Sequence, residues 1–284
     1  MKADTVARFS LNHIKLFITV RTKRLLIGAW LCGALFAAGC GPAAESPAAR
    51  GKVRVAAAAD MNAVLGELIT RFGARHDVDV SVSYGSSGNF YAQLLNQAPF
   101  DLFLSADVSY PNQLAARGMT VPQSEFSYAV GRIVLWAPSG SPLDIEHDGL
   151  QALTAASIAH VAIANPEHAP YGRAAVAAMQ AAGVYDRVKP KLVFGENVAQ
   201  SLQFVQSGAA DVGIVALSLA VAPNLKGKGR MFEIPASTYP RLEQGGVILK
   251  WAADVDAARA LRGFMLSADG QAILKQYGFS LPDR

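Results

Sequence analysis

Cysteine is almost missing from these 284 residues: two are present, at 32 and 40, and none follows. The rest of the chain therefore has no disulfide, no thiol nucleophile and no cysteine metal ligand. Histidine is scarce too. His13, His76, His147, His160 and His168 show no metal-ligand spacing, and His168 is expected as a loop residue. No His and Asp partners can be assigned to a serine nucleophile, and no glycine elbow or phosphate loop occurs, so no enzyme is expected. An excess of basic charge is also lacking beyond the first 40 residues. Those hold six of the 26 Lys and Arg and one of the 22 Asp and Glu, leaving 20 basic and 21 acidic residues, a net charge near −1. The overall +4 thus offers no surface for nucleic acid.

What the first 40 residues do hold is an ordered leader. A basic cluster, Arg21, Lys23 and Arg24, precedes an apolar run from Leu25 to Ala38 and then Ala37-Ala38-Gly39-Cys40. That order is an export signal, and a run of about 14 residues is short for a bilayer crossing. Small residues ahead of Cys40 resemble a lipoprotein cleavage box, although Ala37 stands where leucine is usual. Two outcomes stand: removal of the leader before Cys40 with acylation of its thiol, or ordinary cleavage near Ala38 or Gly39. Val20 is an alternative start codon. Residues 1–40 are read as the leader and 41–51, rich in Ala, Pro and Ser, as a flexible tether.

The remaining chain alternates strand and helix patterns over a length that suits two α/β lobes. Val53 to Ala58 reads as a short buried strand. Met61, Val64, Leu65, Leu68, Ile69 and Phe72 then fall on one helical face. Alternating Val78, Val80, Val82 and Tyr84 make a strand, Phe90 to Asn96 a helix, and Asp101 to Ala106 a third strand before a helix capped by Asp107. This βαβαβ order predicts parallel pairing. A second set begins at Arg132 to Trp136. It continues through strands at Val161, Lys191 and Asp211, with helices over about 174–182 and 198–206. A strand over 246–251 and helices over about 254–267 and 270–277 close the chain.

Four segments end a strand and open a helix with small or hydroxylated residues: Ala57 to Asp60, Gly85 to Asn89, Asn165 to Gly172 and Gly195 to Val198. A helix N-terminus carries unpaired N–H groups and partial positive charge, so four of them on one cleft make an anion site without a fixed cation. Neutral donors of this kind favour a fully ionised oxyanion.

These segments, with Ala98-Pro99-Phe100-Asp101, Gly213-Ile214-Val215 and Gln276-Tyr277-Gly278-Phe279, resemble the periplasmic molybdate-binding proteins of bacterial ABC importers, from about 52 to 280. The resemblance implies a type II periplasmic binding protein, an α/β fold with two lobes around a ligand cleft joined by crossing strands. Lobe one would be 52–130 with 237–284, and lobe two 131–236. It implies high-affinity extracytoplasmic binding of molybdate, and of tungstate, for delivery to an ABC permease and ATPase. The protein is expected as a monomer in the periplasm or on the outer face of the membrane, lipid-anchored if Cys40 is acylated. No cofactor is implied beyond the ligand. Another anion, such as sulfate or a small organic acid, is the alternative, and cavity size would discriminate.

Carried over position by position, the oxyanion would be held by the Ser87 hydroxyl, Tyr171 and the Val198 N–H, with the backbone of Ala59 and Asp60. The metal atom is reached only through the oxygens of the molybdate oxyanion. Some members place a hydroxyl before the first helix, where this chain has Ala59 and Asp60. Some place a tyrosine where it has Ala216, and Tyr171 would replace it. A carboxylate pointing inward would repel an anion, so Asp60 is expected to cap its own helix with its side chain turned away.

Overall fold

The computed structural model describes residues 50–283. The expectations for the leader, for acylation of Cys40 and for the tether before residue 50 lie outside the described residues. The tether's last position is corrected: Gly51 opens the first strand, β1 (Gly51–Ala58).

Short buried apolar runs become strands, and one-sided apolar periodicity becomes the helices that cover them. After β1 come α1 (Asn62–Gly73), β2 (Val78–Gly85), α2 (Ser87–Leu95), β3 (Leu102–Ser105), α3 (Ser109–Ala116) and β4 (Phe126–Gly131). The chain crosses to β5 (Ile133–Pro138), then α4 (Ile145–Asp148), β6 (Val161–Ala164), α5 (Pro170–Ala181), α6 (Tyr185–Val188), β7 (Leu192–Gly195), α7 (Val198–Gln206), β8 (Val212–Ala216), α8 (Leu217–Ala220) and β9 (Gly229–Glu233). It returns in β10 (Leu242–Ile248) and ends in α9 (Val255–Leu266) and α10 (Ala268–Gln276).

Ten strands form two five-stranded sheets among the described residues, ordered β2-β1-β3-β10-β4 and β7-β6-β8-β5-β9. In the first, β1 pairs parallel with β2 and β3, as the βαβαβ order predicts, and β10 runs antiparallel between β3 and β4. The second repeats the scheme: β6 is parallel to β7 and β8, and β5 is antiparallel to β8 and β9. One core packs α1, α9 and α10 on the first sheet through Leu65, Leu68, Phe72, Leu261, Met265 and Leu274. A smaller one fills its other face with Phe90, Leu94, Phe103, Leu114 and Val247. The second sheet has its own core.

Several boundaries differ from expectation in ways that matter for the site. The helix expected from 174 begins at Pro170, because proline is preorganised for the first helical turn, and so Tyr171 is helical. The last strand occupies 242–248 and not 246–251, which brings Gln244 into the interior. Strand β4 had no counterpart in the sequence reading. It is followed by a single-residue crossing at Arg132.

Candidate functional site

Every segment singled out for a helix N-terminus reaches one small cavity. It is lined by Ala58, Ala59 and Asp60; Gly85, Ser86 and Ser87; Ala106; Ala169, Pro170 and Tyr171; and Asn197 and Val198. Ala59, Asp60, Ser87, Tyr171 and Val198 are all buried. The cavity measures about 10 Å³, near the least that holds one water. Among the described residues no group of His, Cys, Asp or Glu suits a metal ion, and no helix is long and apolar enough to cross a membrane.

One wall consists of neutral groups. Ser86 caps α2 through the Asn89 N–H, 3.4 Å from its Oγ. The neighbouring Ser87 is turned inward, and its Oγ accepts from the Ala106 N–H at 2.9 Å, which fixes the oxygen while its own proton stays available. Asn197 caps α7 by accepting from Ala199 and Gln200, both at 3.1 Å. This stabilises the helix start, by about 1 kcal/mol for a good cap, and leaves the Val198 N–H out of the capping bonds.

The opposite wall overturns the expectation for Asp60. Neither the 3₁₀ turn over Ala59–Met61 nor α1 has a side-chain cap. The carboxylate is instead fully buried, and its Oδ2 accepts from the Tyr171 hydroxyl at 3.0 Å and from the Gln244 amide. Gln244 also donates to the Tyr171 oxygen at 3.1 Å. The Tyr171 proton is thereby directed to Asp60. Burial pushes the Asp60 carboxyl up to about 6, against the Gln244 amide, the Tyr171 hydroxyl and the backbone N–H groups of Asp60 and Met61, which pull it down. Burial, and then the Asp60 charge, hold Tyr171 and Tyr128 well above the usual phenol range. Both stay neutral. Asp60 Oδ1 and Gln244 Oε1 are buried without a partner.

Around the cavity, bonds tie the two sheets' elements together. Ser218 donates to the Asp60 carbonyl at 2.8 Å, and the Gly88 N–H to the His168 carbonyl at 2.9 Å. Asn89 donates to Glu196 at 3.2 Å. Arg173 pairs with Asp107 at 2.6 Å, so it is not simply a solvated surface arginine. Gly131 must stay small, since a Cβ there would overlap the Tyr171 hydroxyl and come within 2.9 Å of Gln244 Nε2. Gln244 and Ser218 were invisible in the sequence. Neither the Glu243-Gln244 pair nor the glycines after it, in the strand Leu242–Ile248, mark Gln244 as a buried residue. Ala216 lies buried at the end of β8 and does not line the cavity.

Two sheets joined by crossings, with helix N-termini meeting over a buried cleft, define the type II periplasmic binding fold. The chain belongs to the bacterial extracellular solute-binding protein family, whose pattern matches residues 53–280. It is 39% identical over 233 residues to the molybdate-binding protein ModA of Rhodobacter capsulatus, covering 82% of this chain and 90% of that protein. It is 37% identical to ModA of Azotobacter vinelandii, with 81% and 90% covered. The solved periplasmic molybdate-binding protein of Azotobacter vinelandii superposes with a TM-score of 0.75 at 33% identity, covering 81% of this chain and all of that one. Solute binding outside the cytoplasm is what defines this family.

Proposed function

We propose that the protein binds molybdate, and with it tungstate, outside the cytoplasm and delivers the anion to an ABC permease and ATPase. The observation that carries this reading is the wall built from Ser87 and Val198, neutral donors at helix starts, in a chain whose relatives are named for molybdate. Each charge-assisted hydrogen bond to the anion contributes about 1.5–3 kcal/mol, and no cation is needed. The binding set is Ser87, Tyr171 and Val198 with the backbone at Ala59 and Asp60, and Tyr171, whose hydroxyl donates to Asp60 in this structure, turns that proton to the anion on binding. The lobes are those expected, 52–130 with 237–284 and 131–236, with Gly51 and Gly131 moved into the first because they belong to its sheet.

A cavity of about 10 Å³ is smaller than a tetrahedral oxyanion, so the walls part when the anion enters. The cross-cleft bonds of Asn89 and Arg173 are the ones that yield first, because they are partly exposed. The protein is read as a monomer of the periplasm or outer membrane face, lipid-held if Cys40 is acylated. Titration calorimetry with molybdate, tungstate, sulfate and phosphate tests the function. The expected result is binding of the first two at least about a hundredfold tighter than sulfate, or about 2.7 kcal/mol. Equal or tighter sulfate binding would overturn it.

A further inference from the structure

The Asp60 cluster leaves two side-chain acceptors unpartnered. The side chains supply three N–H or O–H protons, one on Tyr171 and two on Gln244, and two of them converge on Asp60 Oδ2 while the Gln244 amide also serves Tyr171; the backbone N–H groups of Asp60 and Met61 also pull the carboxyl down. Two acceptors, Asp60 Oδ1 and Gln244 Oε1, are left buried with no donor. A tetraoxyanion brings only further acceptors. Placed beside an ionised Asp60, it would add like-charge repulsion at a fully buried carboxylate with an unpartnered oxygen. One additional proton removes both difficulties, because it neutralises the carboxylate and turns it into a donor.

We propose that each oxyanion binds together with one proton from solvent, shared between Asp60 and the anion, so that Asp60 acts as a donor to the ligand and not as a fixed negative charge. The balance is simple: an ionised carboxylate, a dianion and one proton become a carboxyl hydrogen-bonded to the dianion, with no other bond made or broken. This rests on the proposed oxyanion function and adds a specificity element to it.

The surroundings leave Asp60 as the group that takes the proton. From α5 it meets Tyr171, and from β4 Tyr128, whose hydroxyl donates to the Ser105 carbonyl; both phenols remain protonated. From β10 comes neutral Gln244, while the adjacent Glu243 accepts from Ser127. Arg173 of α5 is committed to Asp107. α7 and α8 carry no titratable side chain. On α1, Glu67 lies near Arg71, and β2 contributes Asp79 and Tyr84, none of them bonded to Asp60. With its carboxyl at about 6, the free protein is ionised at pH 8 and must acquire the proton on binding.

Calorimetry of the wild-type protein with sodium molybdate, in buffers of different ionisation enthalpy between pH 5.5 and 8.5, reads the proton directly. The expected uptake is near one proton per anion at pH 8, falling at pH 5.5 where the carboxyl is already largely protonated. The dissociation constant should weaken about tenfold per pH unit above pH 7. Asp60→Asn, which keeps a neutral donor, should bind with no proton uptake and a flat pH profile. Tight wild-type binding without proton uptake at pH 8, or uptake that persists in Asp60→Asn, would overturn the inference and leave the oxyanion function standing. Absence of molybdate binding at every pH would overturn both.

Discussion

The wall formed by Ser87 and Val198 and the wall formed by Asp60, Tyr171 and Gln244 face the same cavity with opposite hydrogen-bonding balance. The first has donors to spare. Caps and a backbone N–H hold its oxygens in place, and its remaining protons are left for a ligand. The second has acceptors to spare and a carboxyl whose charge is costly where it sits. The first wall suffices to explain why an anion enters. Only the second can make entry depend on pH. A site assembled wholly from helix N-termini would bind a dianion equally well across neutral pH, whereas one buried acid is enough to link binding to proton supply.

The largest effect that separates the walls is on stability. The folded Asp60 carboxyl titrates near 6 against an ordinary 3.8. A raised acid contributes its full stability below the unfolded value and loses it as pH rises toward the folded one, by about 3 kcal/mol here. Asp60→Asn lacks this loss. Urea unfolding without ligand should therefore show the variant gaining on the wild type by about 3 kcal/mol between pH 3 and 8; a difference that stays constant over that range would place the carboxylate in contact with water.

On the donor wall the expected change is smaller and falls mainly on binding. Ser87→Ala should weaken molybdate binding by about 2 kcal/mol, close to thirtyfold, with the same pH slope as the wild type. It also leaves the Ala106 N–H without its acceptor, which costs about 1–3 kcal/mol of stability. A steeper or flatter pH slope in this variant would mean that the two walls are not separable.

The smallest effect belongs to the rim. Arg173→Ala removes an ion pair whose side chains are 40% and 28% exposed, and exposed pairs contribute about 0.2–1 kcal/mol. Stability and affinity should each move by no more than about 1 kcal/mol in chemical unfolding and calorimetry. A tenfold loss of affinity would promote Arg173 from rim to site.

Much of this was readable in the sequence because it depends on local patterns. The α1 face at Val64, Leu65, Leu68 and Phe72 is buried as its spacing requires, and the four helix starts meet where their small residues allow close approach. Within those segments Ser87 and Val198 were picked out by the family resemblance. The destination of the Asp60 side chain was not readable. It is set by Tyr171, 111 residues away, and by Gln244, 184 residues away, and local capping rules favour the opposite orientation. Gln244 itself depends on where β10 slots between β3 and β4, a register that alternation alone places several residues too late. Tyr171 was assigned to the cavity, but its proton's acceptor became visible only with that partner in place.

Gly131, the last residue of β4, lies at the narrow crossing between the sheets while its missing side chain makes room for Tyr171 and Gln244. The crossing and the buried acid cluster are thus neighbours in space. Anyone converting this chain into an optical reporter for oxyanions would find that a bulkier group at Tyr171 presses directly on the crossing at Gly131. A dye is better attached at Asn89 or Glu196, an exposed pair that bridges the rim and touches neither the crossing nor the buried acid.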